Sequence, residues 1–133
     1  MINIRSARKL YTGEVEIGPL DIEIPKAGLT SLIGPNGAGK STALLMIGRL
    51  LRMDEGHIEV ANMDISESKS EDLAKILTIL RQENHFVTRL TVRQLVGFGR
   101  LPYSKGRLTG EDERVISQYI DFLQRSALEN RYL

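Results

Sequence analysis

An α/β fold follows from three features of the 133-residue sequence. Apolar and polar residues alternate through the first 28 positions, a glycine-rich loop at 34–42 separates an apolar pentapeptide from a run of helix formers, and the last third carries apolar residues at helical spacing. The first feature predicts an antiparallel β part, the second a strand, loop and helix in succession, and the third a helical part.

Taken in order, Ile2 and Ile4 alternate with polar neighbours, as do Val15 and Ile17, and Leu20, Ile22 and Ile24 alternate with Asp21 and Glu23. These are half-buried strands, separated by turns at Thr12-Gly13 and Gly18-Pro19. Pro25-Lys26-Ala27-Gly28 then leads into 29–33, read as a short buried strand, and 41–51 is rich in helix formers. Asp54-Glu55-Gly56 reads as a turn, 57–60 as a strand and 61–64 as the turn out of it. Ser70 is placed as the N-cap of a brief helix over 70–75, with Glu71 and Asp72 in its first turn. The apolar run 76–80 suits a buried parallel strand that ends in the polar stretch 81–85. Further on, Thr91 and Gln94 form a capping box, with Leu90 and Leu95 as a hydrophobic staple, so a helix starts at Val92 and Pro102 ends it. A second helix starts near Thr109 with Glu111 and Asp112 in its first turn, and Val115, Ile116, Tyr119, Ile120 and Leu123 form its core stripe.

The loop Gly34-Pro35-Asn36-Gly37-Ala38-Gly39-Lys40-Ser41-Thr42 fits the pattern G-x-x-x-x-G-K-[ST], which chance would produce in well under about one chain in a hundred of this length. Each residue type has a reason. Gly34, Gly37 and Gly39 can adopt backbone angles closed to other residues, so successive N–H groups can turn inward around an anion. The following helix aims the positive end of its dipole at the same point. Lys40 then reaches the β- and γ-phosphates of a nucleoside triphosphate, Ser41 places its hydroxyl on Mg²⁺, and Thr42 bonds further back along the phosphate chain. Because ligands of open α/β sheets lie beyond the carboxyl ends of the strands, the run 76–80 would deliver Gln82 to the same nucleotide. The expected organisation is one partial domain over 1–133. Its antiparallel β part covers 1–28 and 56–65, its nucleotide-binding core 29–55 and 70–85, and its helical part 90–133.

Composition excludes several classes. A hydrophobic content of 41% supports a core, and a net charge of +1 without a basic block argues against nucleic acid as a partner. The absence of cysteine excludes a disulfide framework and fits a reducing cytosol. The N-terminus lacks the apolar stretch of a signal peptide, and no apolar run approaches the roughly 18 residues of a membrane span.

The loop sequence, the β-rich start, the glutamine beyond a strand end and the capped helices together resemble the ATP-binding subunit of an ABC transporter. Residues Thr91-Val92-Arg93, Gly99-Arg100-Leu101-Pro102-Tyr103-Ser104 and Asn130-Arg131-Tyr132-Leu133 look most like the importers of iron–siderophore complexes. The resemblance implies a truncated P-loop NTPase fold of ABC ATPase type, cytoplasmic and peripheral on the inner face of the cell membrane. It also implies ATP and Mg²⁺ as cofactors, and membrane-spanning permease subunits and a second ATPase subunit as partners. Gly34, Asn36, Gly37, Ala38, Gly39, Lys40, Ser41 and Thr42 match the nucleotide loop, Tyr11 the aromatic stacked on adenine, and Gln82 the glutamine that touches Mg²⁺ and the attacking water. Arg81 stands where many members have proline.

The family's Leu-Ser-Gly-Gly-Gln signature, acidic Walker B strand and switch histidine are not among the 133 residues; His57 and His85 match no such position. Hydrolysis by this chain alone is therefore expected to be weak or absent. A sheet lacking its remaining strands is expected to have bare edges, covered by the rest of a longer product or by self-association. Two alternatives stand beside the transport ATPase. One is a nucleotide-binding or docking fragment without turnover; the other is an unrelated small P-loop enzyme such as a kinase or GTPase, for which guanine preference would be the discriminating sign.

Overall fold

A computed structural model describes residues 1–13, 15–80 and 89–132. Two compact units divide the chain, Met1–Ile79 and 80–133. In the first, β1 (Ile2–Leu10), β2 (Glu16–Ile24), β3 (Glu55–Val60) and β4 (Met63–Asp64) form a four-stranded sheet in the order β2-β1-β3-β4, every pair antiparallel. Ile2, Ile4 and Ile22 recur on alternate positions because a pleated strand points every second side chain to the same face. Against that face packs α1 (Lys40–Ile47), so that Ile4, Ala7, Ile58 and Val60 bury with Met46, Ile47, Ile65 and Leu73 in one cluster.

Two irregularities shape β1. Ser6 takes a left-handed φ of 48° at a register shift, and its N–H is accepted by Asp21 Oδ1 at 2.8 Å. Opposite it, Gly56 has φ 94°, and a Cβ there would lie 2.4 Å from Ser6 O. Gly56 therefore belongs inside β3, where a side chain is excluded, and the strand starts at Glu55 rather than after a 54–56 turn. Gly18-Pro19 also lies inside a strand, so the expected break between two strands is a bulged, continuous β2. Ala61 and Asn62, both at positive φ, make the two-residue turn that pairs Val60 with Met63.

The two buried parallel strands expected from the apolar runs are not formed. Residues 29–33 carry no strand, and Leu29 and Ile33 are 97% and 91% exposed. A strand exists only with a ladder partner, and among the described residues none lies beside this segment. In the second run, Ile76 and Leu77 continue from α2 (Ser70–Ala74), their N–H groups returning to Leu73 O at 3.0 and 2.9 Å. Ser70 is the first residue of α2 and Lys69, with extended backbone at φ −64° and ψ 140°, is its N-cap; the Ser70 hydroxyl accepts from Arg49 Nη2 at 3.2 Å.

The second unit holds α3 (Val92–Phe98), α4 (Gly110–Phe122) and a 3₁₀ turn at Ser126–Leu128. Both helices start with capping boxes, Thr91 with Gln94 and Thr109 with Asp112. In α3 the accounting is complete: Val92 N–H donates to Arg131 O, Arg93 N–H to Glu129 O, and Gln94 N–H to Thr91 Oγ1. Arg93 also clasps α4, with Nη2 2.6 Å from Glu113 and Nη1 3.1 Å from Glu129. The stripe of α4 is only half core: Ile116 and Ile120 are buried, whereas Tyr119 and Leu123 are exposed. Helix α3 stops at Phe98, before Pro102, where Gly99 takes over as C-cap. Among the described residues no helix is long and apolar enough to cross a membrane.

Asp112 is the buried charge of this unit. Its Oδ2 accepts from Thr109 Oγ1 at 2.7 Å and from Thr109 N at 2.9 Å, and its Oδ1 from Arg100 Nε at 2.8 Å. Thr109 first, then Arg100, holds the carboxyl below its ordinary value of 3.8. A carboxylate so depressed contributes fully above about 3.8 and loses its contribution as pH falls through the folded value. In an acid titration followed by carboxyl NMR, Asp112 is expected to titrate below 3.8. Amide exchange at Asp112 and Glu113 should rise through the same range, and Asp112→Asn should abolish that step. In the first unit, Ile58→Ala is expected to lower stability by about 2–5 kcal/mol in urea denaturation, since Ile58 is fully buried.

Candidate functional site

The glycine loop of the first unit is built from three backbone constraints. At its turn, Ala38 N–H reaches Pro35 O at 3.3 Å, and Gly37 and Gly39 stand at φ 85° and 84°, where a Cβ is disfavoured. At Gly39 there is a second reason for glycine: a Cβ would lie 2.5 Å from Ile17 Cγ2 of β2. The hairpin of β1 and β2 is thus pressed directly onto the loop.

Gly39 is also the N-cap of α1, and this helix has neither a side-chain cap nor an acidic residue in its first turn. Its first backbone bond inside the helix runs from Ala43 N to Gly39 O at 2.8 Å. The N–H groups of Lys40, Ser41 and Thr42 therefore face forward from the helix start, where the dipole is positive. The capped starts of α3 and α4 show the contrast. Lys40 folds back across the loop, with Nζ donating to Gly34 O at 2.8 Å and Pro35 O at 2.7 Å. Its ammonium stays over the turn instead of reaching into solvent.

Tyr11 comes to the same place from the end of β1. Its hydroxyl is 3.2 Å from Thr42 Oγ1, while its ring remains 40% exposed. Ser41, Asn36 and Ala38 are exposed around the loop. The structure thus gathers Tyr11, residues 34–39, Lys40, Ser41 and Thr42 on one surface. Gln82 lies outside the described residues, as do Glu83 and His85. His57 is occupied on the sheet, with Nε2 3.1 Å from Glu59 and Nδ1 3.0 Å from Asp64. A cavity of about 440 Å³ lined by Met46, Arg49, Met53, Asp54 and Ile65 includes none of the loop residues; the loop is an open cradle.

Two supporting residues carried no sequence signal. Ile17 read as an ordinary strand residue, yet it sets the floor under Gly39. Asp54 read as a turn residue, yet its Oδ2 accepts Leu10 N–H at 2.8 Å and lies 3.0 Å from Lys9 Nζ. Leu10 N–H foremost, then Lys9, holds its carboxyl below the usual range. Asp54 N–H donates in turn to Arg8 O at 2.9 Å, so the strand end that carries Tyr11 is tied from 44 residues away. A small polar residue in a turn gives no hint of such a distant partner.

A lysine-closed glycine turn at an uncapped helix start, backed by an antiparallel sheet, defines a phosphate-loop nucleotide-binding domain. The family model described as ABC transporter matches residues 17–133, and the chain belongs to that family. It is 80% identical over all 133 residues to the petrobactin import ATP-binding protein FatE of Bacillus anthracis, covering 53% of that protein. Identity to the petrobactin import ATP-binding protein YclP of Bacillus subtilis (strain 168) is 42%, again over the whole chain and 53% of the relative. The chain spans about half the length of these curated relatives. Among solved structures, a nucleotide-free ATP-binding cassette from an ABC transporter matches with a TM-score of 0.72 and 28% identity, over 98% of this chain and 56% of that one. A bacterial ABC transporter cassette solved as a dimer shares the fold at a TM-score of 0.77 and 24% identity, over 99% and 61%.

The two glycines separate by test. Gly37→Ala meets no atom within 4 Å and should cost only the left-handed backbone, about 1–2 kcal/mol. Gly39→Ala adds the collision with Ile17 and should lower the urea midpoint further. Equal midpoints would show that the hairpin does not press on the loop.

Proposed function

We propose that this chain is the nucleotide-binding portion of an ABC importer ATPase that couples ATP hydrolysis to uptake of an iron–siderophore chelate of the petrobactin type. The observation that supports it most is the start of α1, a helix of eight residues whose first N–H groups have no side-chain cap and stand beside a folded-back lysine. Such a site is complementary to a phosphate chain, since several N–H dipoles and one ammonium converge on it. The chelate class rests on the names of the relatives FatE and YclP.

In this reading the backbone of Gly34, Asn36, Gly37, Ala38 and Gly39 cradles the phosphates. Lys40 exchanges its two carbonyl partners for the β- and γ-phosphate oxygens. Ser41, exposed at the helix start, turns its hydroxyl toward Mg²⁺, and Thr42 donates to the phosphate chain. Bound Mg²⁺ would neutralise charge between the terminal phosphates. Tyr11 offers its exposed ring face to adenine, and Gln82 is assigned to Mg²⁺ and the attacking water. The working assembly pairs two ATPase subunits beneath membrane permeases, on the cytoplasmic side.

Calorimetric titration with ATP and Mg²⁺ tests the reading. Saturable binding is expected, weakened at least about tenfold in Lys40→Ala, because a charge-assisted bond contributes roughly 1.5–3 kcal/mol. Preference for GTP over ATP, or binding unchanged in Lys40→Ala, would overturn it.

A further inference from the structure

We propose that the Tyr11 hydroxyl is a positioning group for Thr42, orienting and polarising the Thr42 hydroxyl toward the anion held at the start of α1. The inference rests on the proposed nucleotide site and assigns the phenol oxygen a role separate from that of the ring. The two hydroxyl oxygens are 3.2 Å apart, and either could donate. A threonine hydroxyl has one proton and two lone pairs. With an anion in front of the helix, the Thr42 proton goes to the anion, and Thr42 Oγ1 must then accept from Tyr11. The resulting chain runs from Tyr11 O–H to Thr42 O–H to a phosphate oxygen, each bond polarising the next.

The frame around Tyr11 suits this role. Tyr11 N–H donates to Val15 O at 2.8 Å, which closes the turn between β1 and β2. The preceding residue, Leu10, is bound by Asp54 Oδ2, and Ile17 on the other strand abuts Gly39. Tyr11 is therefore tied through its own N–H and through that of Leu10, and its phenol oxygen lies 3.2 Å from Thr42 Oγ1. A side chain so placed fixes the Thr42 hydroxyl before ligand enters, which lowers the ordering cost of binding.

The ring and the hydroxyl are separated by using inorganic tripolyphosphate, which has no base to stack. In calorimetry, Tyr11→Phe is expected to weaken tripolyphosphate about 3- to 10-fold, the loss expected of one hydrogen bond. Thr42→Val should weaken it at least as much, Thr42→Ser should retain binding, and the double variant Tyr11→Phe with Thr42→Val should bind no more weakly than Thr42→Val alone. Melting temperatures measured on the same samples are expected to stay level across the series. Unchanged tripolyphosphate binding in Tyr11→Phe, or losses that multiply in the double variant, would overturn the positioning role while leaving the nucleotide site intact. Failure of the unaltered chain to bind both ATP and tripolyphosphate would overturn the site and the inference together.

Discussion

Ile17 Cγ2 occupies the space into which a side chain at Gly39 would project, and this close approach constrains the glycine loop, the proposed phosphate site. It disfavours any Cβ at the N-cap of α1. A glycine there can take the left-handed backbone, but it brings no oxygen to the first N–H groups of the helix. The same contact presses β2 against the loop, which fixes the height at which the hairpin presents Tyr11. Steric exclusion at one carbon thus goes together with an uncapped helix start beside the hairpin that carries Tyr11.

The energetic meaning is clearest beside the second unit. Helices α3 and α4 satisfy their starts with capping boxes, and α3 also draws on the carbonyls of Glu129 and Arg131. A glycine in place of a capping side chain costs a helix only a few tenths of a kcal/mol. Helix α1 carries that small deficit and buries Ala43, Met46 and Ile47. Helix α1 shares its lack of a side-chain cap with the five-residue α2, and what sets it apart is the glycine loop before it and the lysine folded back over that loop. Lys40 donates to the carbonyls of Gly34 and Pro35, so in the proposed site its charge is already close to where phosphate oxygens would lie.

Much of this was legible in the sequence, for physical reasons that differ by element. The glycine loop and the Thr91–Gln94 capping box are local: their meaning lies within four to nine adjacent residues, and the structure shows that box and a helix start at Thr109 as expected, whereas the N-cap of α2 is Lys69 and not Ser70. Alternation identified the antiparallel strands, yet it could not show that β2 runs through Gly18-Pro19 or that β3 takes in Gly56, because bulges depend on the partner strand. The apolar runs 29–33 and 76–80 were read as buried parallel strands, which is correct only where neighbouring strands exist; among the described residues Leu29 and Ile33 face solvent, and Ile76 and Leu77 lie just after α2 and bond back to Leu73 O. On α4, spacing marked Tyr119 and Leu123 as core, yet of that stripe Ile116 and Ile120 are buried, Val115 is half-buried and Tyr119 and Leu123 are exposed. Periodicity reports which face could be buried and is silent on what covers it.

Long-range contacts complete what the loop motif cannot. Asp54 accepts the N–H of Leu10 and binds Lys9, and its own N–H returns to Arg8 O, so one carboxylate replaces the ladder partner that β3 does not provide at the end of β1. With Arg8 joined to Glu16 at 2.8 Å, both strands of the hairpin are held at the point where the chain turns. The pair is exposed and adds little stability by itself. Its consequence is geometric: the residue that follows Leu10 has little freedom, and that residue is Tyr11. A motif of nine residues can build an anion cradle, but an aromatic ring beside that cradle has to be delivered by another part of the chain. Here the delivery depends on a carboxylate at position 54 and a methyl group at position 17, neither of which need touch a ligand.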